Sequence, residues 1–146
     1  MAMTDALLAT LIDEHAALEA FAALLACEAK ALGAVSPLET LPSIIEKKTA
    51  LTERLASLEK ARDARLHELG LPPGRQGMTL AIAADLRLAE YWKQLLTMAQ
   101  RARRANTNNG LMICVRMNYN QSALAILRGA TQNASLYGPN GRMATR

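Results

Sequence analysis

What this chain can fold into is limited first by what it lacks. Six Ile, two Val and five aromatic residues stand against 28 Ala and 24 Leu in 146 residues. Ala and Leu favour helix, whereas β-branched and aromatic side chains favour strands. A sheet has too little to be built from, so the expected class is all-α. The length suits one domain with a real core.

Several chemistries drop out on the same reading. His15, His67, Cys27 and Cys114 lie far apart with no metal-ligand spacing, so no zinc site or other cofactor is expected. Both cysteines have apolar neighbours and are read as small buried hydrophobes in a reducing compartment. Neither a phosphate-binding loop nor a dinucleotide fingerprint occurs, and the chain is read as a non-enzyme. His15 falls on a helix seam, where a polar residue setting register is the simpler reading than a catalytic base. The N-terminus has no basic stretch followed by an apolar core, and no run approaches the roughly 20 apolar residues that span a bilayer. The expectation is a cytoplasmic protein with no membrane insertion.

Periodicity predicts an antiparallel bundle of three long helices. The first runs from Thr4 to Leu32, with Leu11, Leu18, Leu25 and Leu32 every seventh residue and Leu8, His15, Ala22 and Ala29 as companion positions. The second starts near Pro42 and places Ile44, Leu51 and Leu58 inward, with Leu41, Leu55 and Leu69 beside them. Its charged groups, Glu46-Lys47-Lys48 and Glu59 to Asp63, read mostly as solvated. Gly70 to Met78 is the clearest loop, after which Thr79 caps a third helix with Leu88, Trp92, Leu95, Ala99 and Ala102 inward. Local propensity breaks this helix at Asn106–Gly110, giving four helices. The apolar phase instead carries through to Ile113, Asn120, Ala123 and Leu127, which favours one helix of about 75 Å to Arg128. The bundle is then residues 1–129, and 130–146 form a flexible tail.

Charge divides the chain differently. All 13 acids precede residue 91, while residues 91–146 carry eight Lys and Arg and no acid. The cluster Arg101, Arg103 and Arg104 suits a solvated face, an acidic protein partner or phosphates. No nucleic acid is expected, because aromatic residues do not interleave with these arginines. A self-associating coiled coil, and hence a homodimer through the Leu11–Leu32 seam, is a further association the pattern allows. In the same third, Asn106, Asn108, Asn109, Asn118 and Asn120 crowd among Leu111, Met112, Ile113 and Met117. Asn weakens a helix by several tenths of a kcal/mol per position, so amides interleaved with soft apolar side chains suit a surface that hydrogen-bonds to another chain.

The run Asn106-Thr107-Asn108-Asn109-Gly110-Leu111-Met112-Ile113, followed by Asn120, Ala123–Arg128 and Tyr137-Gly138-Pro139-Asn140-Gly141, resembles the FlgN-type flagellar type III export chaperones. Asn140 departs from the Asp that other members often carry there. The resemblance implies a small cytoplasmic chaperone without ATPase activity. Its partners would be the C-terminal segments of hook-associated (hook–filament junction) proteins and the flagellar export gate. Asn106, Asn109, Leu111, Met112, Ile113, Met117, Asn120, Leu124 and Leu127 are the candidate client contacts, with intramolecular packing the alternative for each. Tyr137 is the candidate for docking to the gate, or else a lid folded on the end of the bundle.

Overall fold

The structure, a computed structural model, describes residues 3–34 and 40–135, with side chains followed to Gly129. The described residues are all-α, with four helices: α1 (Asp5–Leu32), α2 (Leu41–Glu68), α3 (Gly74–Ala84) and α4 (Arg87–Ser135). They form two compact units, one up to Asn109 and one from Gly110 onward.

In the first unit, α1 and α2 run antiparallel in fixed register. Along α1, Leu7, Leu11, Glu14, Leu18, Phe21, Leu25, Glu28 and Leu32 are buried or half-buried at alternating four- and three-residue steps, with Thr10 and Ala17 buried and Leu8, His15, Leu24 and Ala29 half-buried beside them. The expected leucine series is buried, and of its companions Leu8, His15 and Ala29 are half-buried while Ala22 is exposed. A further inward series, which the heptad reading did not include, is Leu7, Glu14, Phe21 and Glu28. Two of these inner positions are glutamates. On α2 the inward set is Ile44, Lys48, Leu51, Leu55, Leu58, Arg62, Leu66 and Leu69. Lys48 and Arg62, assigned above to a solvated face, thus lie on the inner stripe opposite Glu28 and Glu14.

The corner after α2 is more helical than its Gly/Pro content suggests. Gly70 takes φ +75°, its N–H bonds to His67 O (2.9 Å), and Leu71 N–H reaches Leu66 O (2.9 Å). This is the Schellman termination that a glycine just past the C-cap permits. The loop ends at Pro73, however, because Gly74 N–H is taken by Asp63 Oδ1 (3.0 Å) and α3 begins there. Gly77 is buried against Pro72, which brings Met78 and Ala81, both 0% exposed, onto Leu66. Thr79 does not cap a helix start. It lies inside α3 and donates its hydroxyl to Arg75 O (2.9 Å), the bond a mid-helix Thr commonly makes.

The interruption in the third helical segment occurs at Asp85–Leu86 and not at Asn106–Gly110. Asp85 is extended (φ −145°, ψ 105°), and its Oδ1 accepts the N–H of Arg87 (3.0 Å). This gives the first turn of α4 an acidic cap. The same carboxylate receives the Arg87 guanidinium and the Thr4 hydroxyl, and Arg87 also pairs with Asp5 Oδ1 (2.7 Å), tying the start of α4 to the start of α1. These donors, Arg87 foremost and Thr4 next, hold the Asp85 carboxyl well below the usual carboxylate range. A group so lowered contributes stability above its ordinary pKa near 3.9 and loses it as pH falls below that value. Asp85→Asn should therefore lower the urea midpoint at pH 7, with the deficit shrinking as unfolding is repeated below about pH 4.

Beyond Asp85, α4 runs parallel to α1 within the first unit and buries Leu88, Trp92, Leu95, Ala102 and Asn109. Met98 occupies the half-buried place given to Ala99, which is exposed. The helix continues through Asn106–Gly110, as the apolar phase indicates and local propensity does not. Cys27 and Cys114 are free and exposed, correcting their reading as buried hydrophobes.

Candidate interaction surface

Two polar ties cross the first unit, each built on an inward glutamate of α1. At the lower tie, Arg62 Nη1 donates to Glu14 Oε2 (2.6 Å), and the guanidinium lies 5.0 Å from the centroid of the Trp92 ring. Burial pushes the Glu14 carboxyl above its ordinary value, against the attraction of Arg62. At the upper tie, Lys48 Nζ reaches both oxygens of Glu28 (3.1 and 3.3 Å), and Asn109 Nδ2 donates to Glu28 Oε1 and Leu25 O (2.9 Å each). Each tie joins α1, α2 and α4. A buried acid of this kind is tolerable only when its partners come with the fold, so both ties specify register.

Asn109 is thus inside the bundle, 3% exposed, with its amide engaged by α1. The register-setting hydrogen bond expected of it toward a client is made within the chain. Asn106, three residues earlier on the helix, is exposed.

The second unit, from Gly110, is described as helix to Ser135. Of the expected contacts, Leu111 (60%), Met117 (55%), Leu124 (49%) and Leu127 (63%) are exposed, as is Asn120, while Met112 and Ile113 are half-buried. Val115, Tyr119 and Ile126 were not anticipated and are more exposed still, at 66%, 74% and 72%. Their signal is the spacing. Leu111, Val115, Tyr119 and Ile126 recur at four-, four- and seven-residue steps along one face, and Ile113, Met117, Asn120, Leu124 and Leu127 alternate four and three along another. A helix apolar on two faces asks for two neighbours. Seven large apolar side chains are exposed between Leu111 and Leu127, divided between these two faces on a stretch with no acid, and exposed apolar surface of this kind marks an interaction site. Tyr137 lies outside the described residues.

Among the described residues, no three His, Cys, Asp or Glu side chains come together to hold a metal, and no helix is long and apolar enough to cross a membrane. Fold and surface together define a small helical-bundle protein that presents an apolar, acid-free helix. A family model described as FlgN protein matches residues 1–145, and the chain belongs to the FlgN family. Two curated relatives, both named "Flagella synthesis protein FlgN", come from Yersinia enterocolitica and from its serotype O:8 / biotype 1B strain. Each is 29% identical over 101 residues. The match covers 69% of this chain but 63% of each relative, just under two thirds of their length. No solved structure matches the chain.

Proposed function

We propose that this chain is a cytoplasmic, non-enzymatic chaperone of flagellar protein export. It binds the C-terminal segments of hook-associated proteins, prevents their early assembly and delivers them to the type III export gate. The observation that carries this reading is the exposed apolar patch from Leu111 to Leu127 on α4. Family membership supports the flagellar setting.

The mode is helix packing. An amphipathic client segment folds against α4 and buries Leu111, Val115, Tyr119 and Ile126, or the Ile113–Met117–Leu124–Leu127 stripe with Met112 at its border. Asn106 and Asn120 supply amide hydrogen bonds that fix the client's register. The ordering cost of the client keeps net affinity moderate, which suits a cargo that must be released.

Calorimetric titration of the chain with a full-length hook-associated protein, and with one lacking its C-terminal segment, tests the reading. Binding should be confined to the full-length protein, and equal binding to both ends the client-tail model. The double variants Val115→Asp with Ile126→Asp and Met117→Asp with Leu124→Asp divide the two faces, and the one on the client's face should weaken binding by at least about 30-fold, the scale of one interface hot spot. Their melting temperatures should stay near wild type, because all four side chains are already exposed. Binding driven by apolar burial should change little between low and physiological salt, whereas binding through the arginines to nucleic acid would fall steeply.

Docking to the export gate is assigned to Tyr137, an aromatic that offers large contact area for little side-chain entropy. Tyr137→Ala should leave client affinity and melting temperature near wild type while export falls. A drop of several degrees in melting temperature would make Tyr137 a packing residue instead.

A further inference from the structure

The leucine seam that the sequence pattern offers for self-association is spent inside the first unit, where Leu11, Leu18, Leu25 and Leu32 are all buried. A second copy of this chain has to meet another surface, and the second unit carries one. Leu111, Val115, Tyr119 and Ile126 are 60% to 74% exposed. They share one stripe of α4, apart from the stripe of Ile113, Met117, Leu124 and Leu127. Asn118 and Ser122, also exposed, fall on the stripe between them.

Charge and order along this stripe select its partner. At about 3.6 residues per turn, Arg116 and Arg128 fall outside it, and the segment holds no acid. A stripe without charge draws neither an acidic nor a basic partner and does not repel a copy of itself. Its six positions also map onto themselves when the helix is read backwards about the point between Asn118 and Tyr119. Leu111 then matches Ile126, Val115 matches Ser122, and Asn118 matches Tyr119. Two copies packed antiparallel about a two-fold axis at that point would set large aliphatic against large aliphatic and small against small. The Tyr119 hydroxyl of each copy would meet the Asn118 amide of the other, which can donate or accept. A surface that answers itself in this way is what an isologous contact requires.

The area is enough for a weak dimer. The four large side chains offer on the order of 400 Å² per copy, and a pair that also covers Asn118 and Ser122 would bury roughly 1,000 Å², the lower bound of a specific interface. We propose that the Leu111–Ile126 stripe of α4 is a dimer interface, which pairs antiparallel with the same stripe of a second copy of this chain. The stripe of Ile113, Met117, Leu124 and Leu127 is then left for the client.

Sedimentation equilibrium of the full chain alone tests the pairing, from low micromolar to several hundred micromolar. Reductant is present because Cys27 and Cys114 are free and exposed. Wild type should pass from monomer to dimer with a dissociation constant in the tens of micromolar, the weak end expected of so small an interface. Leu111→Glu and Ile126→Lys should each weaken association at least about tenfold, since each puts two unpaired charges into the contact. Their melting temperatures should stay at the wild-type value, because both side chains are exposed. An equimolar mixture of the two variants should associate at least about tenfold more tightly than either alone. Each mixed pair sets the new carboxylate against the new ammonium and keeps one Leu111–Ile126 contact, which happens only in the antiparallel arrangement. A mixture no tighter than its components overturns that arrangement. A chain that stays monomeric throughout, or a dimer that survives both substitutions, overturns the interface itself. No client is present in these measurements, so their failure leaves the chaperone reading untouched.

Discussion

Gly77→Ala should destabilise the protein by about 3 kcal/mol or more, at the upper end of what overpacking costs. A Cβ at this position would sit 1.7 Å from the Pro72 carbonyl oxygen, 2.9 Å from its carbon and 3.1 Å from Leu66 Cδ1. The obstacle is backbone, and backbone cannot swing aside as a side-chain end can. Either the Pro72–Pro73 turn moves or α3 lifts from the end of α2, which would uncover Met78, Ala81 and Leu66, all fully buried. The urea midpoint measures the loss. Gly110→Ala is the control, since a Cβ there meets nothing within 4 Å and the residue lies inside a helix. It should raise stability by up to about 1 kcal/mol. A Gly77→Ala protein within about 1 kcal/mol of wild type would mean that α3 does not rest on that turn.

Arg62→Ala should cost about 3–5 kcal/mol, the penalty for stranding one member of a buried pair. For a domain of this size that lowers the melting temperature by roughly 10–20 °C. Glu14, 5% exposed in the native fold, would lose the cation beside it, and Trp92 would lose the guanidinium on its face. The pH dependence gives the cause. Burial already raises the Glu14 carboxyl, and Arg62 is the largest influence opposing that rise. Without Arg62 the folded-state value climbs further, so the folded protein binds a proton that the unfolded chain has released. Stability of the variant is then lost as pH rises from the ordinary glutamate range through that value and regained as pH falls back below it. Arg62→Met combined with Glu14→Leu should return stability to near wild type, because an apolar pair of similar volume often replaces a buried ion pair without loss. If Arg62→Ala is as stable as wild type at pH 7, the ion pair is not buried in solution.

The patch on α4 was readable from sequence because its ingredients are local. Leu111, Met117, Leu124 and Leu127 stand among asparagines in a segment with no acid, and that company is visible without a fold. Val115, Tyr119 and Ile126 lie on a second stripe of the helix, outside the register of Ile113, Met117, Leu124 and Leu127. Asn109 was singled out for the right chemistry, an amide that fixes register, but its partner proved to be α1.

Composition and spacing alone settle the class and the repeat. Abundant Ala and Leu with few β-branched residues leave helix as the favoured local state, and leucines every seventh residue choose which side of α1 is buried. Continuity of α4 through Asn106–Gly110 was legible for the same reason, since a periodic apolar phase survives residues of poor propensity. Tertiary structure decided the rest. Glu14 and Glu28 face the core because Arg62 and Lys48 arrive from α2 in the antiparallel register, and no local pattern announces that a charged residue will find its counter-ion 48 or 20 residues away. The break at Asp85 likewise depends on Thr4 and Asp5, more than 80 positions earlier, meeting Asp85 and Arg87. A propensity scale ranks residues one at a time. A buried charge or a helix start held by distant donors becomes favourable only once the other helices stand in place, which is why these features belong to the fold and not to any segment of the chain.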